Sequence, residues 1–379
     1  MNYNKLALQF HKRNKGKIEI RTKMPLKTKA DLSIAYTPGV AAVSLAIKRK
    51  KSNVWELTNR ANQVAIVTDG SAVLGLGNIG AEAALPVMEG KSAIFKEFAG
   101  IDAIPLCINT TSDKKIINFC KYIEPSFAGI NLEDISAPKC FTILNKLKKE
   151  LNIPVFHDDQ DGTAIVVLAA LINACRVANK VIKDLKIVIN GAGAAGIAIS
   201  RLLLAQGVGD IILLDSKGII YSQRANLNPY KKEIAKKINK QKLKGNLEDA
   251  LYKADVFVGV SKGGLLKEKM IRKMNSDPII FAMANPIPEI MPNIAKRAGA
   301  SIVGTGRSDF PNQINNALVF PGIFKGLLAS RKKEVSLKMM LSASLALAYV
   351  IKPAKNKILP KITDKNVVNA IAKTIIKCN

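Results

Sequence analysis

The sequence predicts an α/β fold of two domains, and three observations predict it. The chain has 379 residues, more than one hydrophobic core usually holds. Short β-branched runs alternate with apolar or amphipathic stretches of helical length, as they do where parallel strands are joined by helices. Lys186-Ile187-Val188-Ile189-Asn190 runs directly into Gly191-Ala192-Gly193-Ala194-Ala195-Gly196, giving strand, glycine turn and helix start in succession. The boundary is expected near residue 160, in the acid- and glycine-rich Asp158-Asp159-Gln160-Asp161-Gly162. Residues 1–160 would then form a smaller α/β domain. Residues 161–379 would form a Rossmann-like, doubly wound parallel sheet with C-terminal helices.

The elements follow in order. The first 60 residues read as short helices and loops around Tyr36-Thr37-Pro38-Gly39. Val64-Ala65-Ile66-Val67 is the first strand, followed by the glycine-rich Gly75-Leu76-Gly77-Asn78-Ile79-Gly80. Residues 81–98 read as helix, 103–108 as strand and 112–122 as helix. Gly129-Ile130-Asn131-Leu132 is a strand ending in acid, residues 138–151 are amphipathic, and Pro154-Val155-Phe156 is another strand. Residues 163–178 form a long apolar helix. Strands at 211–214, 256–260 and 279–282 continue the second sheet, and the tail from Val335 reads as two helices separated by Pro353 to Pro360.

Composition removes several classes of function. Apolar residues make up 48% of the chain, which is not a disordered composition. The longest apolar run near the C-terminus, residues 339–351, is interrupted by Ser342 and Ser344. It falls short of the roughly 20 residues a membrane span needs, so no membrane association is expected. Met1-Asn2-Tyr3-Asn4-Lys5 carries no secretory pattern. The five cysteines, at 107, 120, 140, 175 and 378, are odd in number and form no C-x-x-C pair. That excludes a disulfide framework and a thiolate metal cluster, and it points to a reducing cytoplasm. A formal charge of +29 invites a nucleic-acid reading. The lysines are spread along the whole chain, however, aromatics are only 5%, and no RNP-like, zinc-finger or repeat pattern is present to read bases. The charge reads as solvated faces, and no nucleic-acid partner is expected.

Two segments match G-x-G-x-x-G. The one at Gly191 to Gly196 follows a strand, opens a helix and is followed by a second strand ending at Asp215, a full βαβ unit with an acid placed for the ribose hydroxyls. Its glycines let backbone amides approach a pyrophosphate, and the helix N-terminus offers that group partial positive charge. The match at Gly75 to Gly80 has little strand to feed it and reads as close backbone packing that shapes a substrate cleft. Asp215 favours NAD, since a carboxylate repels a 2′-phosphate, while Ser216 and Lys217 beside it keep NADP open.

Glu133-Asp134 ends one strand and Asp158-Asp159 ends the next. In a parallel sheet these carboxyl ends share one edge, where ligands bind. Oxygen ligands on adjacent loops suit Mg²⁺ or Mn²⁺. Histidine is scarce, with only His11 and His157, so a histidine acid/base of the simple hydroxy-acid dehydrogenase kind is poorly supplied. A lysine serves as base when a nearby cation and partial burial depress its pKa. Lys91 sits in the most apolar helical stretch of the first domain.

Taken together, several segments resemble the malic enzyme family, and its short bacterial branch in particular. They are Ala35-Tyr36-Thr37-Pro38-Gly39-Val40-Ala41, Leu74-Gly75-Leu76-Gly77-Asn78-Ile79-Gly80, Met88-Glu89-Gly90-Lys91, Ile130-Asn131-Leu132-Glu133-Asp134-Ile135 and His157-Asp158-Asp159-Gln160. To these are added Gly191 to Gly196, Ala284-Asn285-Pro286 and Arg307-Ser308-Asp309-Phe310-Pro311-Asn312-Gln313-Ile314-Asn315-Asn316. The resemblance implies oxidative decarboxylation of L-malate to pyruvate and CO₂ with NAD(P)⁺ and a divalent metal, together with oxaloacetate decarboxylation, by a homodimer. It implies Tyr36 as general acid, Lys91 as general base tuned by Asp158, and Glu133, Asp134 and Asp159 as metal ligands. It places Asn285 and Asn316 at substrate and nicotinamide, with Gly191, Gly193, Ala194, Ala195, Gly196 and Asp215 holding the dinucleotide.

Some positions depart from that pattern. Ser71-Ala72 stands where longer members carry an arginine for a malate carboxylate, Asp161 where the short branch often has histidine, and the basic segment from Lys48 to Asn53 where relatives carry an acidic turn. Two alternatives accompany the resemblance: a decarboxylating dehydrogenase of another small hydroxy acid, and a basic nucleic-acid-associated protein on an inactive enzyme fold.

Overall fold

In a computed structural model the chain is described over residues 3–378, so the first two residues of the N-terminal pentapeptide lie outside it. Four parallel strands form one sheet: β1 (Gln63–Thr68), β2 (Asp102–Cys107), β3 (Gly129–Leu132) and β4 (Val155–His157), in the order β2-β1-β3-β4. A second sheet contains β5 (Lys186–Asn190), β6 (Asp210–Asp215), β7 (Gly218–Ile219), β8 (Val256–Gly259), β9 (Ile279–Ala282) and β10 (Ile302–Thr305). Its order is β10-β9-β8-β5-β6-β7, parallel except for the antiparallel β6–β7 edge. The chain winds outward from β5 in both directions, so the order reverses between β5 and β8. A crevice opens at such a reversal, outside the carboxyl ends of the strands.

Burial explains the sequence pattern. β1, β3 and β4 are buried almost throughout, which is why they read as continuous apolar runs rather than alternating ones. The Thr163–Ala178 helix is apolar all round because it is buried from Ala164 through Cys175 and joins the two sheets into one core. The helix expected over 81–98 runs Gly80–Ile94 and then widens into a π turn, Phe95–Ala99. Phe95 is fully buried there, with its ring 4.7 Å from Phe320 and 5.3 Å from Phe324. Those two rings belong to the Phe320–Ser330 helix, which therefore docks a C-terminal element onto the first sheet.

The N-terminal segment behaves differently. The helices Tyr3–Asn14, Lys29–Ala35 and Val40–Arg49 bury no residue at all. They leave Leu32, Ile34, Tyr36, Val43 and Leu45 exposed. The stretch Lys29–Arg49 is as apolar as a membrane span, but Tyr36 to Gly39 breaks it into helices of 7 and 10 residues. Neither piece reaches the roughly 20 residues a span requires.

Candidate active site

Three elements converge at one edge of the first sheet. β3 and β4 pair in parallel with Leu132 opposite His157, so the residues that follow each strand emerge side by side. Glu133 and Asp134 leave β3, while Asp158 and Asp159 open the π turn Asp158–Gly162. Glu133, Asp134 and Asp159 each bring one carboxylate oxygen within 4.8 Å of the others. The backbone N–H of Asp134 donates to Asp159 Oδ2 at 2.8 Å, tying the two loops together. Asp134 holds φ at +52°, a left-handed conformation that Asp tolerates better than most side chains. Lys91 arrives from the Gly80–Ile94 helix with only 8% exposure. Its Nζ pairs with Glu133 Oε1 at 2.6 Å and with Asp158, and lies 4.4 Å from the centre of the Phe320 ring.

Four carboxylates thus surround one ammonium in a largely buried site, and only Asp159 keeps appreciable exposure, at 28% of its side chain. Burial raises the pKa of Asp158 to about 7 against the pull of Lys91. Burial likewise raises Glu133, Asp134 and Asp159 above the usual carboxylate range, with mutual repulsion adding to it. For Lys91, burial works against the charge, but Asp158, Glu133 and Asp159 outweigh it and raise the pKa. This corrects the expected depression: the charged groups that face Lys91 are acids, not cations. Asp161 does not join the cluster as a bare charge, because Lys148 Nζ donates to it at 3.2 Å.

Among the described residues, the buried side-chain polar atoms without a hydrogen-bond partner are Asn131 Oδ1, both ring nitrogens of His157, Asp158 Oδ1 and Gln160 Nε2. All of them belong to this edge of the sheet. Orphaned polar atoms are rare in folded interiors and mark places that take a ligand, ion or water. His157 is fully buried, and burial lowers its pKa to about 4. Burial thus favours its neutral form.

Asn316 begins a short 3-10 turn, Asn316–Leu318, that packs on the Asp158–Gly162 turn. Asn285 lies past the carboxyl end of β9, with its carbonyl against Gly75. A Cβ on Gly75, whose φ is +78°, would come 2.6 Å from that oxygen, so the first glycine loop is a close backbone contact between the segments that follow β1 and β9. Among the described residues Tyr36 forms no hydrogen bond with this cluster: it caps the Lys29–Ala35 helix with 68% of its surface exposed, on an N-terminal segment whose three helices bury no residue.

The second glycine loop lies at the carboxyl end of β5. Gly191 has φ +126°, and a Cβ there would sit 2.6 Å from the Val260 carbonyl oxygen. A Cβ on Gly196 would overlap the Gly191 carbonyl, whereas the space beside Gly193 is open. The turn is therefore held tightly on the protein side and left clear ahead of the Ala194–Ala205 helix, including Ala194 and Ala195 at its N-terminus. That is the form of a phosphate cradle. Asp215 ends β6, but its carboxylate is not free: Lys231 Nζ donates to Oδ2 at 2.6 Å, and Arg224 also pairs with it. Sequence reading does not single out Arg224, Lys231 or Phe320. Phe320 lies far along the chain from Lys91, while Arg224 and Lys231 follow Asp215 by 9 and 16 residues, and nothing in their local pattern distinguishes them from other basic or aromatic residues.

Comparison with known proteins decides the family. The family described as "Malic enzyme, NAD binding domain" matches residues 160–379, and "Malic enzyme, N-terminal domain" matches residues 15–118. The chain belongs to the malic enzyme family. It is 52% identical to the bifunctional malic/malolactic enzyme of Bacillus subtilis, over 100% of this chain and 93% of that one. It is 51% identical to the probable NADP-dependent malic enzyme of Rickettsia prowazekii, over 92% of this chain and 45% of that one. The crystal structure of the NAD-dependent malic enzyme of Thermotoga maritima superposes with a TM-score of 0.96 at 49% identity, covering 98% of this chain and 99% of that one. The malic enzyme fold is thus present as two α/β units.

Glu133, Asp134, Asp158 and Asp159 fall between the two matched stretches, so the reading of the acidic site as a malic enzyme's metal centre stands on its own geometry. A hard divalent cation fits that geometry. The donor set is all oxygen, the carboxylates converge, and fully ionised they exceed the single ammonium by three charges. Buried excess charge is costly until it is paired.

Proposed function

We propose that this malic enzyme oxidises L-malate at C2 with NAD(P)⁺ and decarboxylates the product to pyruvate and CO₂, and that it also decarboxylates oxaloacetate. The observation that carries the reading is Lys91, a buried lysine clamped between Asp158 and Glu133 beside the convergent Glu133, Asp134 and Asp159 oxygens. A divalent cation, Mg²⁺ or Mn²⁺, held by these three acids would withdraw charge from the substrate's hydroxyl oxygen and offset the acids that keep Lys91 protonated. With its own ammonium proton first released to solvent, the neutral Lys91 amine takes the C2 hydroxyl proton, and Asp158 fixes the direction of its Nζ. Gly191 to Gly196 would cradle the dinucleotide, whose nicotinamide would supply the hydride acceptor. Asn285 and Asn316 orient substrate and nicotinamide, and closure of the cleft around them excludes water.

Tyr36 delivers a proton to C3 of the enol product. It stands on the exposed N-terminal segment, and we infer that a second copy of the chain covers that segment. A homodimer burying the helices Lys29–Ala35 and Val40–Arg49 would move Tyr36 from solvent into a protein environment, as its task requires. In this reading residues 1–160 form the substrate and metal unit and residues 161–379 the dinucleotide unit. The five unpaired thiols fit a reducing compartment, and we place the enzyme in the cytoplasm.

Lys91→Ala tests the assignment. Malate oxidation should fall by about 10² to 10⁴, the usual worth of a general base, while NAD⁺ binding measured by calorimetry stays near wild type. Turnover within a few fold of wild type would remove Lys91 from the mechanism.

A further inference from the structure

The end of β6 carries an arrangement that bears on which dinucleotide the protein takes. Asp215 is where a dinucleotide-binding sheet presents a carboxylate to the ribose hydroxyls. Here that carboxylate is engaged on both oxygens. Oδ1 accepts the Lys217 backbone N–H at 3.0 Å. Oδ2 accepts Lys231 Nζ at 2.6 Å and pairs with Arg224 as well. Arg224 is itself anchored, with Nη1 donating to the carbonyls of Gly218 at 3.0 Å and Ile219 at 3.2 Å on the β7 edge. The three side chains are mostly buried, with Asp215 and Arg224 each 12% exposed and Lys231 20%. This is a built cluster rather than a chance surface contact.

Its charge has the wrong sign for excluding a 2′-phosphate. One carboxylate faces one guanidinium and one ammonium, leaving a single positive charge in excess. Pairing with both cations holds Asp215 ionised, its pKa lowered to about 2 despite partial burial, so the excess persists at every working pH. Arg224 uses three of its five N–H donors on Asp215, Gly218 and Ile219, and Lys231 one of its three on Asp215. Donors remain for an anion, and a guanidinium is well matched to a phosphate.

We propose that the β6 end is a 2′-phosphate site, with Arg224 and Lys231 as its specificity-determining residues, so that the chain binds NADP⁺ as well as NAD⁺. The proposal rests on the dinucleotide site at Gly191 to Gly196. Calorimetry with the metal-free protein separates the two. NAD⁺, NADP⁺, 5′-AMP and 2′,5′-ADP are titrated into wild type, Arg224→Ala and Lys231→Ala. NADP⁺ should bind within about tenfold of NAD⁺, and 2′,5′-ADP at least about tenfold tighter than 5′-AMP. Each variant should lose about tenfold or more for NADP⁺ and 2′,5′-ADP while its NAD⁺ affinity changes by less than about threefold. NAD⁺ binding with NADP⁺ weaker by about 100-fold or more would overturn the 2′-phosphate site alone. Variants that weaken both dinucleotides equally would do the same. If neither dinucleotide bound to wild type, the glycine-loop reading would fail and take this proposal with it.

Discussion

Lys91 and its acids show how neighbours, rather than residue type, set the state of a group. A lysine on an apolar helix reads as a base whose charge burial weakens. Here Glu133 and Asp158, both beyond the end of another element, close on it and hold the proton. That reversal was not legible in the sequence, because the three residues meet only when the β3 and β4 ends align beside the Gly80–Ile94 helix. The acids themselves were legible, since consecutive carboxylates after two strand-like runs must share an edge in a parallel sheet. A pH dependence follows from their raised pKa values. An acid whose pKa is higher folded than unfolded binds more protons when folded. The metal-free protein therefore loses stability as pH rises above about 4 through the folded values near neutrality. A divalent cation displaces those protons and restores the loss. The rise in thermal midpoint on adding Mn²⁺ should accordingly be larger at about pH 8 than at about pH 6; scanning calorimetry checks this, and an equal rise at both would contradict it.

At the scale of elements, the βαβ unit from β5 to Asp215 was readable almost residue by residue, because strand, glycine turn and helix leave contiguous signals. The two-residue β7 was not, being too short to show a period, and neither was β10, where Gly304 and Thr305 leave only Ile302 and Val303 as an apolar run. The Phe320–Ser330 helix carries Pro321, Gly322 and Gly326, residues that punctuate a helical pattern on paper. Packing explains the glycines. A Cβ on Gly322 would lie 2.7 Å from Ile371 Cβ and one on Gly326 2.6 Å from Ile375 Cβ, so the Lys365–Lys377 helix rides directly on this face. Gly326→Ala should therefore destabilise the protein by about 1–3 kcal/mol, the usual cost of overpacking, although alanine is the better helix former. Urea unfolding measures it, and a gain in stability would show that the two helices are not held this closely. Because Phe320 also covers Lys91, a shift of this helix should reach the active site as well.

For the whole molecule, the two sheets share one core through the Thr163–Ala178 helix, and the loops after β1 and β9 meet where Gly75 packs on the Asn285 carbonyl. Among the described residues, the three N-terminal helices bury no residue, and Leu32, Ile34, Tyr36, Val43 and Leu45 are exposed along them. The sequence motif around Tyr36 was readable, but its exposure was not, because burial depends on what packs against a segment and not on its own residues. A homodimer predicts a solution mass of about twice 41.0 kDa by light scattering. Ile34→Glu, at a position 69% exposed in the single chain, should shift the protein toward monomer and lower malate turnover with it. A monomeric wild type, or a fully active Ile34→Glu monomer, would contradict that arrangement. The most direct test of the decarboxylating reading is product analysis during L-malate turnover with NAD⁺ or NADP⁺ and Mn²⁺. Pyruvate, CO₂ and reduced nicotinamide should form in equal amounts. Oxaloacetate accumulating in place of pyruvate would contradict the assignment.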